Sequence, residues 1–293
     1  MSAADASAGV IEVTEVDEGS VLAHRDGPVL TLTLNRPHRR NAWTYPMGNR
    51  YFDLLDEADD DPEVRVVVVT GSGESFCVGV DTESLGEAAG KGLRRRPSKG
   101  RRMTHAMEFR KPMIAAINGA CAGFGLLQAL HCDVRFAVEG AVFTTAFVRR
   151  GLNAEYGSSW LLPRIVGQSR AAELLLSGRR FDAAEAERMG LVQWVVPRAD
   201  LLDRVRAYAS EMAESCSPMA MADTKHQLLT DWVLERRAAE DHEKVLAYLP
   251  GHRVDFEEGV RSYVERRPPR FAPLPPRGEV ATTGPDGSPK EDA

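Results

Sequence analysis

The chain has 293 residues, 43% hydrophobic and 27% charged, enough apolar material for a sizeable core in a soluble globular protein. Its net charge of −6 gives no reason to expect a nucleic-acid partner, which needs a clustered basic excess. Residues Met1 to Gly9 lack the charged start and apolar stretch of a secretion signal, and the apolar run Met113 to Ile117 is too short to cross a bilayer. Cys77, Cys121, Cys132 and Cys216 form no CxxC pair, so they read as reduced thiols without a metal or disulfide role, and the expected location is the cytoplasm.

In chain order, residues 1–12 read as a loose N-terminus. Val29 to Leu34 alternates apolar residues with Thr, the period of a half-buried strand, and Pro37 stops it. A helix is expected from about Tyr45 to Glu57, with Met47, Phe52, Leu54 and Leu55 as its apolar residues. Val64 to Thr70 is a nearly continuous β-branched run, as in a strand covered on both faces, and Met113 to Ile117, Val134 to Ala137 and Leu191 to Val196 repeat that character. Between them, Gly86 to Lys99 reads as a mobile loop carrying Arg94, Arg95 and Arg96, and Phe124 through His131 reads as a helix that His131 helps to end. Asp182 and Glu185 have capping-box spacing before a helix that Gly190 stops. Asp200 to about Tyr248 is helical in pattern, and the Pro- and Gly-rich tail after Phe271 reads as disordered. The fold class is α/β, divided into a core at 13–198, a helical region at 199–272 and a tail at 273–293.

Several short segments stand in register along this frame. Leu34-Asn35-Arg36-Pro37 precedes Asn41-Ala42, and Val66 to Gly71 leads into Ser75-Phe76-Cys77-Val78-Gly79-Val80-Asp81. Lys111-Pro112 opens a run ending in Asn118-Gly119, followed by Gly123-Phe124-Gly125 and Cys132-Asp133. Gly151-Leu152, Gly157, Leu162-Pro163-Arg164 and Val166-Gly167 come next, and Glu258-Gly259-Val260 to Phe271 closes the series. In order and spacing these resemble the enoyl-CoA hydratase/isomerase (crotonase) superfamily over residues 28–272. The resemblance implies a crotonase-like spiral of strand–strand–helix units. It also implies a helical C-terminal region that builds homotrimers, often paired into hexamers. No metal or redox cofactor is implied, because coenzyme A arrives as part of an acyl-CoA thioester substrate.

Acyl thioesters react through enolates or oxyanions, whose charge needs preorganised N–H donors, and glycine turns let backbone approach a ligand closely. The resemblance implies that the donors are the backbone N–H groups of Val80 and Phe124, with the dipole of the helix from Phe124 adding to the effect. It places CoA along Arg40, Ala42, Val80, Asp81 and Thr82, with Arg39 and Arg40 available for phosphate charge. Glu83 stands where hydratases often carry a lysine.

A hydratase needs two carboxyl groups; the matching positions here are Leu127 and Phe147, neither of which transfers a proton. Glu155 matches a position where some relatives, including double-bond isomerases, carry a catalytic acid. A lone carboxylate suits an isomerase, since one group removes a proton and returns it at another carbon. Leu127, Phe147 and Trp160 are expected to wall an apolar acyl pocket. His105 and Tyr156 are lesser candidates, and Asp133 reads as structural. The sequence leaves open a catalytically silent acyl-CoA-binding protein and a hydratase with an atypical site.

Overall fold

The computed structural model describes residues 21–81, 101–247 and 249–277; the readings of the N-terminus, of Thr82 and Glu83, and of the loop from Gly86 to Lys99 lie outside them. Among the described residues, two sheets carry the architecture. The larger has six strands in the order β1-β2-β3-β5-β7-β10. These are β1 (Val21–Asp26), β2 (Val29–Leu34), β3 (Val66–Gly71), β5 (Met113–Ile117), β7 (Val134–Val138) and β10 (Trp194–Val196). Only the β1–β2 hairpin is antiparallel, with Val21 opposite Leu34; every other pairing in this sheet is parallel. The smaller sheet joins β4 (Ser75–Cys77), β6 (Ala120–Ala122), β8 (Val142–Thr144) and β9 (Phe181–Asp182).

The chain steps from β3 to β4, from β5 to β6 and from β7 to β8, so each of these three long strands is followed by a short one in the other sheet. This is the expected spiral. The β-branched runs supply its long strands: all six residues of β3 and all five of β5 are buried, as strands covered on both faces require. The tenth strand starts at Trp194 and not at Leu191, because Gln193 is drawn aside to exchange hydrogen bonds with the Arg135 backbone, 2.7 and 2.9 Å.

Helix α1 (Tyr45–Asp60) starts at Thr44, whose hydroxyl accepts from the Met47 N–H, and has proline in its first turn, where a missing donor costs nothing. It buries Met47, Tyr51, Phe52, Leu54, Leu55 and Ala58, each large side chain contributing about 1.5–3 kcal/mol. At its end, Lys111 Nζ donates to the Ala58 and Asp61 carbonyls at 2.6 Å, and burial pulls its pKa down to about 8. The fully buried Asp59 accepts from Arg110 at 3.0 Å and from Arg277. Leu274 is buried, and Arg110 also donates to the Pro275 carbonyl, 3.0 Å. Residues 272–277 therefore continue onto the body, where the composition pointed to a loose tail from 273; ion pairs to α1 outweigh the chain entropy of a Pro-rich segment there.

Helix α2 (Phe124–His131) follows β6, α3 (Ser158–Val166) and α4 (Gln168–Ser177) follow β8, and α5 (Ala183–Arg188) follows β9. The Asp182 carboxylate caps α5 by accepting from the Glu185 N–H, 2.8 Å, as the spacing foretold. Helix α6 (Leu201–Ser215) lays Leu201, Val205, Ala209 and Ala213 across the large sheet. Then come α7 (Pro218–Thr230), α8 (Arg236–Ala247) and α9 (Pro250–Glu265). Asp255 accepts from Ser217, and His252 pairs with Asp223, tying α9 to α7. This region leaves large apolar side chains in the open, among them Leu228, Trp232, Val245, Phe256, Tyr263 and Val264, more than a self-contained monomer usually exposes.

Candidate active site

The site grows from a turn tied down on both sides. Asn35-Arg36-Pro37 ends β2, and Asn41, left-handed at φ 57, points its amide at the β3–β4 connection. Its Nδ2 donates to the Ser72 and Ser75 carbonyls at 2.9 and 2.7 Å, while Oδ1 accepts from the Arg36 N–H at 2.8 Å. Arg36 in turn donates to the Ala42 carbonyl at 2.6 Å and to the Asp81 carboxylate at 2.9 Å. The motif segments around residues 35–42 and 75–81 are thus one hydrogen-bonded unit. Asp81 serves as its tie, with Arg39 a further 3.5 Å ion-pair partner. Its side chain is only 4% exposed, so Asp81→Ala should leave Arg36 half-buried without its counter-charge. We expect a loss of about 3 kcal/mol, read as a lower urea midpoint with unchanged slope.

Trp43 lies beside Val80 in a parallel bridge: the Trp43 N–H donates to the Gly79 carbonyl at 2.7 Å and the Asp81 N–H donates to the Trp43 carbonyl at 2.9 Å. Because successive backbone groups of an extended segment face opposite ways, the Val80 N–H lies on the edge turned away from Trp43. Gly79 adopts φ 102; a Cβ there would lie 3.1 Å from the Ala122 carbonyl oxygen and 3.7 Å from the Phe124 nitrogen. Gly123, at φ 52, brings its own Cβ position within 3.9 Å of the Gly79 Cα. The two glycine turns therefore meet backbone to backbone. Phe124 opens α2, so its N–H has no acceptor within the helix.

The Phe124 ring is 1% exposed and packs edge-on against Trp43 at 4.9 Å and Tyr156 at 5.1 Å between centroids. Tyr156 follows Glu155 in the loop between Gly151 and α3. Glu155 is 8% exposed, its carbonyl accepts from the Ser158 N–H at 3.0 Å, and Tyr156 and Gly157 are both left-handed, at φ 52 and 80. One aromatic ring pair thus joins the carboxylate-bearing loop to the residue whose N–H opens α2. Leu127 and Phe147 are 1% and 5% exposed within the same apolar core, and Trp160 packs against it half-buried with the Arg164 guanidinium 3.9 Å above its ring.

Other residues fall into supporting places. Arg40 is exposed at φ 53, beside the buried Ala42. His105 is held by Asp56, 2.7 Å from Nε2, and stands edge-on to Phe52 at 5.5 Å. Arg101 bridges Asp53 and Asp56 at 2.6 and 2.5 Å, a cluster for which isolated acidic residues on α1 gave no signal. Trp43 was equally hidden, and so was the packing of Tyr156, a lesser candidate, on Phe124, because these contacts join segments about 80 and 30 residues distant from it. Asp133 accepts from the Met113 N–H at 2.7 Å and from Lys225 at 2.8 Å, the structural role expected. Burial pushes the Cys77 and Cys132 thiols up to about 12, so neither is a nucleophile at neutral pH; Cys216 is exposed. Among the described residues there is no cluster of three metal-ligating side chains, and no helix is long and apolar enough to cross a membrane.

Comparison with known proteins agrees with this geometry. The family model described as enoyl-CoA hydratase/isomerase matches residues 24–273. An enoyl-CoA hydratase of Alternaria alternata is 36% identical over 252 residues, 84% of this chain and 85% of its own. The 1,2-epoxyphenylacetyl-CoA isomerase of Escherichia coli is 30% identical over 256 residues, 86% of this chain and 97% of its own. Among solved structures, a probable enoyl-CoA hydratase/isomerase from Mycobacterium abscessus superimposes with a TM-score of 0.79 at 31% identity, covering 87% of this chain and 99% of the other. With the spiral of paired strands and the joined glycine turns, these matches establish that the chain belongs to the enoyl-CoA hydratase/isomerase family.

Proposed function

We propose that the protein isomerises an unsaturated acyl-CoA, with Glu155 as its single acid and base. The observation that carries this reading is the placement of Glu155, nearly buried and next in the chain to Tyr156, whose ring packs on Phe124 at the start of α2, while Leu127 and Phe147, at the positions that the resemblance matches to the hydratase carboxylates, carry no proton. The thioester carbonyl accepts hydrogen bonds from the Val80 and Phe124 N–H groups, which lower the energy of the enolate as charge moves onto that oxygen. Glu155 takes a proton from the carbon chain and returns it at another position, so the double bond moves and the mass does not change. Leu127, Phe147 and Trp160 form the apolar wall for the acyl group. Arg40, Ala42, Val80, Asp81 and Thr82 border the CoA carrier, and the exposed apolar face of the C-terminal helices is the surface for a homotrimer or a pair of trimers. This chemistry draws on no metal or redox cofactor, and the reading places the protein in the cytoplasm. The Escherichia coli relative is likewise named an isomerase of a CoA thioester.

The test is incubation of purified protein with trans-3-enoyl-CoA and trans-2-enoyl-CoA, with products identified by mass and chromatography. A mass-neutral double-bond shift is the expected result. Addition of 18 mass units to the 2-enoyl substrate (one water, by its formula, about 18) would replace isomerisation with hydration. The loss of both hydratase carboxylates also favours a second reading, an acyl-CoA-holding protein, and thioester binding without any product would establish it.

A further inference from the structure

Trp43 touches both halves of the site, each with a different part of itself. Its backbone pairs with the turn that carries the Val80 N–H: the Trp43 N–H donates to the Gly79 carbonyl at 2.7 Å, and its carbonyl accepts from the Asp81 N–H at 2.9 Å. Its indole packs edge-on against the Phe124 ring, 4.9 Å between centroids and 65° between planes, an arrangement that aromatic pairs favour. Phe124 is the first residue of α2.

Polarity does not account for an indole at this position. Trp43 is 2% exposed, and its Nε1 has no hydrogen-bond partner among the described residues, a cost that a phenyl or aliphatic side chain would avoid. The helix facing it is cut back to admit the ring. Gly48 lies within α1, where glycine weakens a helix, and a Cβ there would stand 2.9 Å from Nε1 and 3.1 Å from Cε2 and Cζ2. Tyr51 and Phe52, one turn further along α1, meet the same ring at 5.5 and 6.2 Å. The indole therefore bridges α1 and the first residue of α2, and a displacement forced at position 48 is passed on to Phe124.

We propose that Trp43 is a positioning residue for the oxyanion pair: its backbone fixes the Val80 turn, its indole fixes the start of α2, and the size of the ring sets the separation of the two N–H donors. This rests on the reading of Val80 and Phe124 as donors to the thioester carbonyl. Two donors serve one oxygen only when each lies about 2.7–3.1 Å from it, so a small error in their separation weakens one bond or the other. The glycine turns themselves meet backbone to backbone and have no side chains to hold that distance.

The experiment uses the full chain and hexanoyl-CoA, isotopically labelled at the thioester carbonyl carbon and without a double bond to move. Infrared difference spectra read the carbonyl stretch of the bound thioester, which falls as N–H donors polarise it. Trp43→Leu removes the ring but keeps the backbone pairing, which any residue except proline can make. Trp43→Phe keeps an aromatic edge for Phe124. Wild type is expected to lower the stretch relative to free thioester, Leu to lose about half of that shift or more, and Phe to keep most of it. On the 3-enoyl substrate kcat follows the same order, with Leu down about tenfold or more and KM within about twofold. Gly48→Ala moves the stretch as Leu does, and moves it less in a Trp43→Phe background, because the smaller ring leaves room for the new Cβ. A loss of stability alone lowers the urea midpoint without moving the stretch of bound thioester. A Leu variant with the wild-type stretch overturns the proposal, whatever its kcat. If wild type itself leaves the stretch at its solution value, the oxyanion reading fails and the proposal falls with it. A wild-type shift that Leu and Gly48→Ala both preserve leaves that reading standing and removes Trp43 alone. Should Leu not fold, Gly48→Ala decides: an unmoved stretch in that folded variant sinks the idea.

Discussion

Glu155→Gln should reduce isomerase turnover by about 10³-fold while leaving the affinity for a non-isomerisable CoA thioester within about twofold. The amide is nearly isosteric with the carboxyl and fits the same 8%-exposed position, so folding and the adjoining Tyr156–Phe124 ring contact should survive. What is lost is the group assigned to accept the proton, while Leu127 and Phe147, at the positions matched to the hydratase carboxylates, are apolar. Single-turnover kinetics with a substrate deuterated at the abstracted position would separate the chemical step from product release. Retention of the wild-type rate would remove Glu155 from the mechanism. A fall in thioester affinity matching the fall in turnover would make it a binding residue. The substitution is also informative if no isomerisation exists, because an acyl-CoA-holding protein should bind equally well with Gln at this position.

What could be read from the residues follows physical lines. The long strands β2, β3, β5 and β7 are legible because each is a run of β-branched or aliphatic residues, long enough for a period to show. Strands β4, β6 and β8 have three residues each and β9 only two, so no periodicity exists within them; their pairing is imposed by the spiral that stacks them. Strand β1 (VLAHRD) is an edge strand whose polar His24, Arg25 and Asp26 fit solvent on one side and hide the alternation. Helix α9 falls inside the expected helical region but could not be delimited there: Pro250-Gly251 resembles a turn, and its apolar residues face outward, as an unpartnered helix face would present them. At the site, glycines and a helix start can be recognised from local spacing. The Phe124–Tyr156 ring contact and the Arg36–Asp81 tie cannot, because each joins segments that only the folded chain brings together.

Gly125→Ala provides the second large effect, and it tests the site's architecture without touching its chemistry. Alanine normally strengthens a helix, by about 1 kcal/mol relative to glycine, so propensity alone predicts stabilisation at this second position of α2. Packing predicts the reverse. A Cβ on Gly125 would run into the Cys77 carbonyl oxygen and stand 2.7 Å from the Cys77 carbonyl carbon and Cβ. Cys77 is fully buried in β4, paired across to Cys121 in β6, so neither wall can withdraw without opening the small sheet. Relief must come from α2 shifting away, and its first residue supplies the Phe124 N–H that the Gly79 turn abuts. Overpacking of this kind costs about 1–3 kcal/mol and exceeds the gain in propensity. The urea midpoint should therefore fall, and kcat should fall by about 10²-fold, comparable with loss of one oxyanion donor, even though Glu155 is intact. A stabilised variant with full activity would mean that α2 and β4 are not in the close contact on which the proposed oxyanion pair depends. A destabilised variant with full activity would leave the packing in place and release the Phe124 N–H from the mechanism.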